Sequence, residues 1–234
     1  MPKRSRRKAV KKSRRNTWIA LSLLVILIVS GIGVYFVYYT KPVPSSSNST
    51  AGSGPYAVVN TTQGTFVIQL FPKLAPQTVT NFEKLANASF YNDLVWHRIV
   101  AGFVIQTGDP TTRNGGGDEA DWGQGGSGTN IPFENNTLPE SQGYVAMANT
   151  SPGGDGASSQ FFIDLADNSA TLGHGYTVFG EVIIGISVVL QIGKLPVNAQ
   201  CSSSGDTECQ PLTPTDAEVY SIVIHDSAPV VNSQ

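Results

Sequence analysis

The hydrophobic pattern divides the chain into two unlike parts. Residues 18–39 form a run of twenty-two uncharged, mostly apolar residues. As an α-helix this run would be roughly 33 Å long, which is enough to cross the apolar core of a bilayer. Trp18 lies at one end and Tyr38 and Tyr39 at the other, as is typical of residues at membrane interfaces. The run therefore predicts a transmembrane helix.

Beyond residue 56 the apolar residues come in short alternating stretches separated by turn-forming residues. An alternation with period two predicts β-strands that bury one face. The segments with this pattern are residues 57–71, which turn at Thr62-Gln63-Gly64, residues 96–109, which turn at Ala101-Gly102, residues 158–163, and residues 218–225. We expect the last of these strands to pair with the first.

Apolar residues recur at helical spacing in two other segments of this region. The first is residues 77–87, which Pro76 opens and which carry Val79, Phe82 and Leu85. The second is residues 183–192. Their apolar faces predict two helices that each cover one end of a sheet.

Charge separates the same two parts. Nine of the fifteen basic residues lie within residues 3–15, and none of the seventeen acidic residues precedes Glu83. A basic segment before an apolar run predicts a cytoplasmic N-terminus, with the remainder of the chain outside the membrane. The adjoining apolar run explains these charges better than nucleic-acid binding does.

These boundaries predict a succession of segments along the chain. They are a basic cytoplasmic tail at residues 1–17, a transmembrane signal-anchor at 18–39, a flexible Pro/Ser/Gly linker at 40–55, a single domain at 56–228, and a short tail at 229–234. The alternative is a signal peptide that is cleaved to give a secreted protein. The length of the apolar run and its bulky aromatic end favour the uncleaved anchor.

Residues 96–109 carry the candidate chemistry. This hairpin presents one cation, Arg98, one amide, Gln106, and large apolar side chains. Burying a charge without a partner is costly, so a purely structural hairpin has little use for a half-buried arginine. The run WHRIVAGFVIQTGD resembles the signature of the cyclophilin-type peptidyl-prolyl isomerases over fourteen positions, with Trp96 in place of the usual Phe.

Further blocks resemble the same family. They are Ile131-Pro132-Phe133-Glu134, residues 143–149 (GYVAMAN), residues 158–163 (SSQFFI) and residues 172–182 (LGHGYTVFGEV). The resemblance implies a mainly β fold, namely a closed antiparallel β-barrel capped by two helices. It implies an isomerase that needs no cofactor and acts as a monomer, and together with the predicted transmembrane segment this is expected to be a membrane-anchored, bacterial-like form of the family.

The resemblance also implies the roles of the site residues. Arg98 would be the catalytic residue, since it would donate a hydrogen bond to the twisted prolyl amide. The implied substrate-binding residues are His97 at the rim, Phe103, Val104, Phe162, Leu172 and Tyr176 around the proline ring, and Gln106, Asn149 and Gln160 along the peptide backbone. Thr171 stands where the family often has an aromatic residue, so one pocket wall would be thinner and tight cyclosporin binding is in doubt.

Two other segments invite functional interpretations. The Gly-rich stretch 109–130 lacks the features of a phosphate-binding loop and carries acidic residues, so we predict an exposed loop beside the site, with a Ca²⁺ site as an alternative. Cys201 and Cys209 are the two cysteines of the chain and have no neighbouring histidine. No metal site is expected there, and a disulfide is favoured over free thiols outside the cytoplasm.

The sequence thus predicts a prolyl isomerase at the cell membrane, with its domain outside the cytoplasm and with proline-containing peptides and unfolded or maturing proteins as partners. A second hypothesis is a tethered binding or chaperone module with little or no turnover. A hydrolase lacks support, because three scattered histidines and no nucleophile context leave no triad to build.

Overall fold

A computed structural model describes residues 54–198 and 209–229. The predicted tail 1–17, the predicted span 18–39, nearly all of the linker and Cys201 lie outside these residues. Within the described part of the chain, no helix combines the length and the apolar character that a membrane crossing requires.

The part of the domain that the structure describes contains nine antiparallel strands. Their bounds are β1 Tyr56–Thr61, β2 Gly64–Leu70, β3 Leu94–Val95, β4 Arg98–Val100, β5 Val104–Thr107, β6 Tyr144–Met147, β7 Phe161–Asp164, β8 Val178–Ile184 and β9 Glu218–His225. They form one sheet in the order β3-β9-β1-β2-β8-β6-β7-β5-β4. The predicted pairing of the last strand with the first is confirmed, since β9 runs alongside β1.

The sheet curls into a half-barrel and not into the closed barrel that was predicted. Among the described residues β3 and β4 end the order of strands and share no ladder. Trp96 and His97 alone link β3, at one end of the strand order, to β4, at the other end.

Within the described residues three α-helices accompany the sheet: α1 Pro76–Asn87, α2 Ser169–Leu172 and α3 Ile186–Ile192. Helix α1 has the predicted extent, whereas α3 begins three residues later than predicted because Ile183 and Ile184 continue β8. Gly185 separates the two elements with a φ of 80°, a conformation that glycine adopts without steric cost. The turn α2 was not predicted.

Glu134 fixes the start of helix α1. Its carboxylate accepts hydrogen bonds from the backbone N–H groups of Gln77 and Thr78 and from the Thr78 hydroxyl, at 2.7–3.0 Å. These are the N–H groups that a helix leaves without intrahelical partners, and a negative charge there is favourable. The segment 131–134, singled out in the sequence, therefore anchors a helix.

Aromatic residues from the helix and the sheet fill the core. Phe82 of α1 packs against Phe161 of β7 and Phe179 of β8, with ring centroids 5.5 and 5.2 Å apart, and all three side chains are fully buried. Burying such side chains supplies most of the favourable free energy of folding. The core therefore supports the inner face of the sheet, and the other face of β5, β6 and β7 is free to form a site.

Candidate active site

Backbone register brings the predicted site residues together. Arg98 of β4 lies opposite Gln106 of β5, Gln106 lies opposite Phe162 of β7, and Phe162 lies opposite Ala146 of β6. Residues that are directly opposite in neighbouring antiparallel strands project from the same face of a sheet. One row across four strands therefore carries a cation, an amide and an aromatic ring.

A groove of about 490 Å³ lies over this row. Nine of the ten predicted site residues line it: His97, Arg98, Phe103, Val104, Gln106, Asn149, Phe162, Leu172 and Tyr176. Gln160 instead lines an adjoining cavity of about 470 Å³, beside Gln106 and Asn149. Such volumes suit a short peptide segment.

The apolar wall of the groove is a small hydrophobic cluster separate from the main core. Val104 and Phe162 are buried in it, and Phe103, Leu172 and Tyr176 pack against it from partly exposed positions. The rings of Phe162 and Tyr176 meet edge to face with centroids 5.3 Å apart. Thr171 lies next to this wall in sequence and is exposed.

Arg98 contributes the positive charge of the groove. Its Nη1 donates to the Gln106 Oε1 at a long 3.5 Å, and its Cζ lies 5.8 Å from the centroid of the Phe103 ring. Its Nε is buried and has no hydrogen-bond partner among the described residues. Burial lowers the pKa of the guanidinium, and Tyr176 opposes that shift. A guanidinium in such surroundings stays protonated and keeps donors available for a ligand.

His97 is buried, with 3 % of its surface exposed, and does not lie at the rim as predicted. Burial lowers its pKa to about 4, although the nearby Asp109 carboxylate opposes that shift. The imidazole is therefore neutral at physiological pH. The side chain still lines the groove, because His97 directly precedes Arg98 in the link between β3 and β4.

Gln160 and Asn149 are held by loops of the protein itself. The Gln160 Nε2 donates to the carbonyls of Gly123 and Gly125 at 2.9 and 2.7 Å, and its Oε1 accepts from the Gln106 Nε2 at 2.8 Å. The Asn149 side-chain amide donates to the carbonyl of Gly154. That both residues bind the peptide backbone stays a prediction, and the loop contacts that they make have no local sequence signal.

The Gly-rich stretch 109–130 is mostly exposed and lies beside the groove, as predicted, but it also has local structure. It contains two 3₁₀ turns, Pro110–Gly115 and Glu119–Asp121, and Trp122 is buried and lines the groove. The expected Ca²⁺ alternative finds no support within the described residues, which contain no group of three potential metal-ligating side chains.

A pair of buried carboxyl groups, unnoticed in the sequence, lies behind Phe103. Glu140 and Asp164 are 1 % and 0 % exposed and lie close enough for the charge of Asp164 to act on Glu140, although neither Glu140 oxygen has a hydrogen-bond partner in the described part of the chain. Burial raises the pKa of each, and the neighbouring Asp164 raises that of Glu140 further. The Asn168 Nδ2 donates to Asp164 and to the carbonyl of Phe103, so the pair is tied to the wall of the groove.

Cys209 is disulfide-bonded and fully buried. Its carbonyl accepts a hydrogen bond of 2.7 Å from the N–H of Ile99 in β4, one residue beyond Arg98. The pairing with Cys201 stays a prediction, since that residue lies outside the described part of the chain.

A family model, two relatives and two solved structures that resemble this chain all point to one family. Residues 56–211 match the family described as cyclophilin type peptidyl-prolyl cis-trans isomerase/CLD. Peptidyl-prolyl cis-trans isomerase-like 1 of Mus musculus is 37% identical over 153 residues, covering 62% of this chain and 84% of the relative. Peptidyl-prolyl cis-trans isomerase-like 3 of Rattus norvegicus is 35% identical over 167 residues, covering 71% and 94%.

Two crystal structures of a cyclophilin-type peptidyl-prolyl cis-trans isomerase from Cryptosporidium parvum resemble the domain. The first has a TM-score of 0.62 at 26% identity and covers 74% of this chain and 98% of that one. The second, determined in the presence of the dipeptide Ala-Pro, has a TM-score of 0.58 at 26% identity and covers 73% and 98%.

Proposed function

Because this chain belongs to the cyclophilin-type peptidyl-prolyl cis-trans isomerase family, we propose that its groove binds X-Pro segments of proteins and that Arg98 accelerates their rotation. One observation carries the proposed role: a half-buried guanidinium, with an unpartnered Nε and no carboxylate hydrogen-bonded to it in the described chain, borders an apolar wall. A structural arginine would be paired, since an unpaired buried charge is costly.

The chemistry requires no nucleophile and no metal. The X-Pro bond interconverts over tens to hundreds of seconds because rotation breaks the amide resonance. Twisting localises a lone pair on the prolyl nitrogen, to which Arg98 would donate a hydrogen bond. A contact that forms only in the twisted state lowers the barrier, and each 1.36 kcal/mol of such preference is about a tenfold gain in rate.

The other residues of the groove would hold the substrate. Phe162 and Val104 would contact the proline ring, with Phe103, Leu172 and Tyr176 around its edge. Gln106 lies between Arg98 and Gln160, where it would bind the peptide backbone. The Ala-Pro dipeptide studied with the related structure has the minimal chemistry of such a ligand.

A test of this function is exchange NMR on a short Ala-Pro peptide with the full chain. We expect cis–trans exchange to rise from undetectable to measurable at substoichiometric protein. Peptide resonances that shift on binding without exchange broadening would contradict turnover and would favour the tethered binding module.

We further propose that the isomerase domain lies outside the cytoplasm, tethered by residues 18–39, and acts on proteins that mature there. The support is the sequence alone: a basic segment, an uncharged run of twenty-two residues and a Pro/Ser/Gly linker. In intact cells that express the full chain with a tag at each end, added protease should remove the C-terminal tag and spare the N-terminal one. Protection of both tags would contradict this orientation, and release of a shortened chain into the medium would favour cleavage.

A further inference from the structure

Asp109 is a buried carboxylate beside the groove that the proposed mechanism does not use. It follows β5 and is 0 % exposed. Its Oδ1 accepts from the N–H and the hydroxyl of Thr111 at 2.8 and 2.7 Å, and its Oδ2 accepts from the N–H groups of Gly123 and Gly125 at 2.6 and 3.0 Å. The carboxylate thereby joins the two ends of the segment 109–125.

The same two glycines also hold Gln160. Their N–H groups point to Asp109, and their carbonyls accept from the Gln160 Nε2. A Cβ added to Gly125 would collide with the Asp109 carboxylate, so the close approach requires glycine at that position. Asp109 therefore fixes the backbone of Gly123 and Gly125, and that backbone in turn fixes the side chain of Gln160.

The hydrogen bonds continue from Gln160 to the cation. The Gln160 Oε1 accepts from Gln106, and the Gln106 Oε1 accepts from Arg98. Since both carbonyls of the loop take up the Gln160 amide hydrogens, its oxygen must face Gln106. Gln106 is then oriented with its own oxygen towards the guanidinium.

The hydrogen bonds that Asp109 accepts keep its carboxylate ionised. Burial alone would raise its pKa, but the hydrogen bonds from Thr111, Gly125 and Gly123 lower it below the ordinary value. Hydrogen bonds to a carboxylate are stronger than those between neutral groups. The carboxylate is therefore ionised throughout the physiological range and can hold the loop firmly.

We propose that Asp109 is a positioning residue of the isomerase, which acts through Gly123, Gly125 and the two glutamines on the orientation of Arg98. This inference rests on the proposed function of Arg98. It goes beyond that function because it assigns a role in turnover to a side chain that does not line the groove.

The main test is Asp109→Asn in the full chain. Asparagine keeps an oxygen for Thr111 but presents N–H groups to the N–H groups of Gly123 and Gly125. We expect kcat for the Ala-Pro peptide to fall about tenfold, equivalent to 1.36 kcal/mol, while KM changes less than about twofold. The side-chain amide resonances of Gln106 and Gln160 should shift and exchange faster with solvent, whereas a lower global stability alone would leave the resonances of the folded state unchanged.

A double-mutant cycle with Gln160→Met tests whether the effect passes through the glutamines. Methionine has a similar shape and makes none of the three hydrogen bonds. If the chain of contacts is correct, adding Asp109→Asn to Gln160→Met causes little further loss. The inference would be overturned if the double variant lost the product of the two single-variant losses in kcat. It would also be overturned if Asp109→Asn had the kcat of the wild type. Thr111→Val is the matched control, since it removes one bond to the same carboxylate and spares the glycines.

A second variant covers the case in which Asp109→Asn does not fold. Gly125→Ala disrupts the same contact from the loop side and should reproduce the fall in kcat; an unchanged kcat would again overturn the inference. Wild-type turnover is measured first in each series. Its absence would contradict the proposed function, whereas normal wild-type turnover with unaffected variants contradicts the role of Asp109 alone.

Discussion

Replacing Arg98 with alanine is expected to lower kcat/KM for an Ala-Pro peptide by about 10²- to 10³-fold, the usual cost of removing a donor that acts on the transition state. The variant loses the guanidinium, its contact with Gln106 and its position over the Phe103 ring. Because the planar substrate does not need the donor, the dissociation constant of the peptide should change far less than kcat. Exchange NMR gives kcat/KM, and a chemical-shift titration gives the dissociation constant.

Arg98→Lys is the informative companion to the alanine variant. Lysine keeps a positive charge but lacks the planar donor geometry of a guanidinium. If geometry decides catalysis, this variant should also lose most of its activity, although less than alanine does. Activity of Arg98→Ala within about tenfold of wild type would show that the apolar groove alone performs the reaction.

The second large effect is on stability, through Glu140 and Asp164. Folding raises the pKa of both buried carboxyl groups, so the folded state prefers to keep a proton that the unfolded chain releases. The stabilisation is complete below the ordinary carboxyl pKa and is lost as the pH rises through the raised values. Each unit of raised pKa corresponds to about 1.4 kcal/mol, and each kcal/mol to about 2–4 °C in melting temperature for a domain of this size. Melting temperatures measured between about pH 5 and pH 9 should therefore fall.

Glu140→Gln identifies the source of this decline. The amide can donate to the Asp164 carboxylate without needing a proton, so the variant should be the more stable protein at the alkaline end and should show a shallower decline. Asp167→Asn is the comparison variant: Asp167 is exposed and its charge makes the smallest contribution to the raised pKa of Asp164, so this variant should flatten the decline less than Glu140→Gln does. A decline that is equally steep in Glu140→Gln would mean that other groups titrate.

Much of the fold follows from local pattern, and the exceptions have physical reasons. The hairpin β1–β2, helix α1 and the Arg98 hairpin were predictable because alternation and helical spacing are local signals. The start of α3 was misjudged because a continuous run of Ile and Val fits a strand and a helix equally. Whether β3 and β4 pair depends on how far the whole sheet curls, which no short segment determines.

The apolar groove and its cation were also accessible from sequence, whereas the supporting polar contacts were not. Gln106 and Arg98 share one hairpin, so their proximity follows from its register. Asp109 meets Gly123 and Gly125 across a loop, and Glu140, in the loop before β6, lies near Asp164 at the end of β7. Such pairs are remote in sequence and carry no periodicity, so they become evident only in three dimensions.

The hydrogen bond between Ile99 and Cys209 covers part of the outer edge of β4, which is an end strand of the sheet. An end strand of a sheet is a template on which any extended polypeptide can add a further strand, and that is a route to aggregation. Here the carbonyl of Cys209 occupies the N–H of Ile99, and a disulfide holds the blocking segment. If the groove binds proline-containing peptides as proposed, this contact would keep them from adding to the sheet at this position.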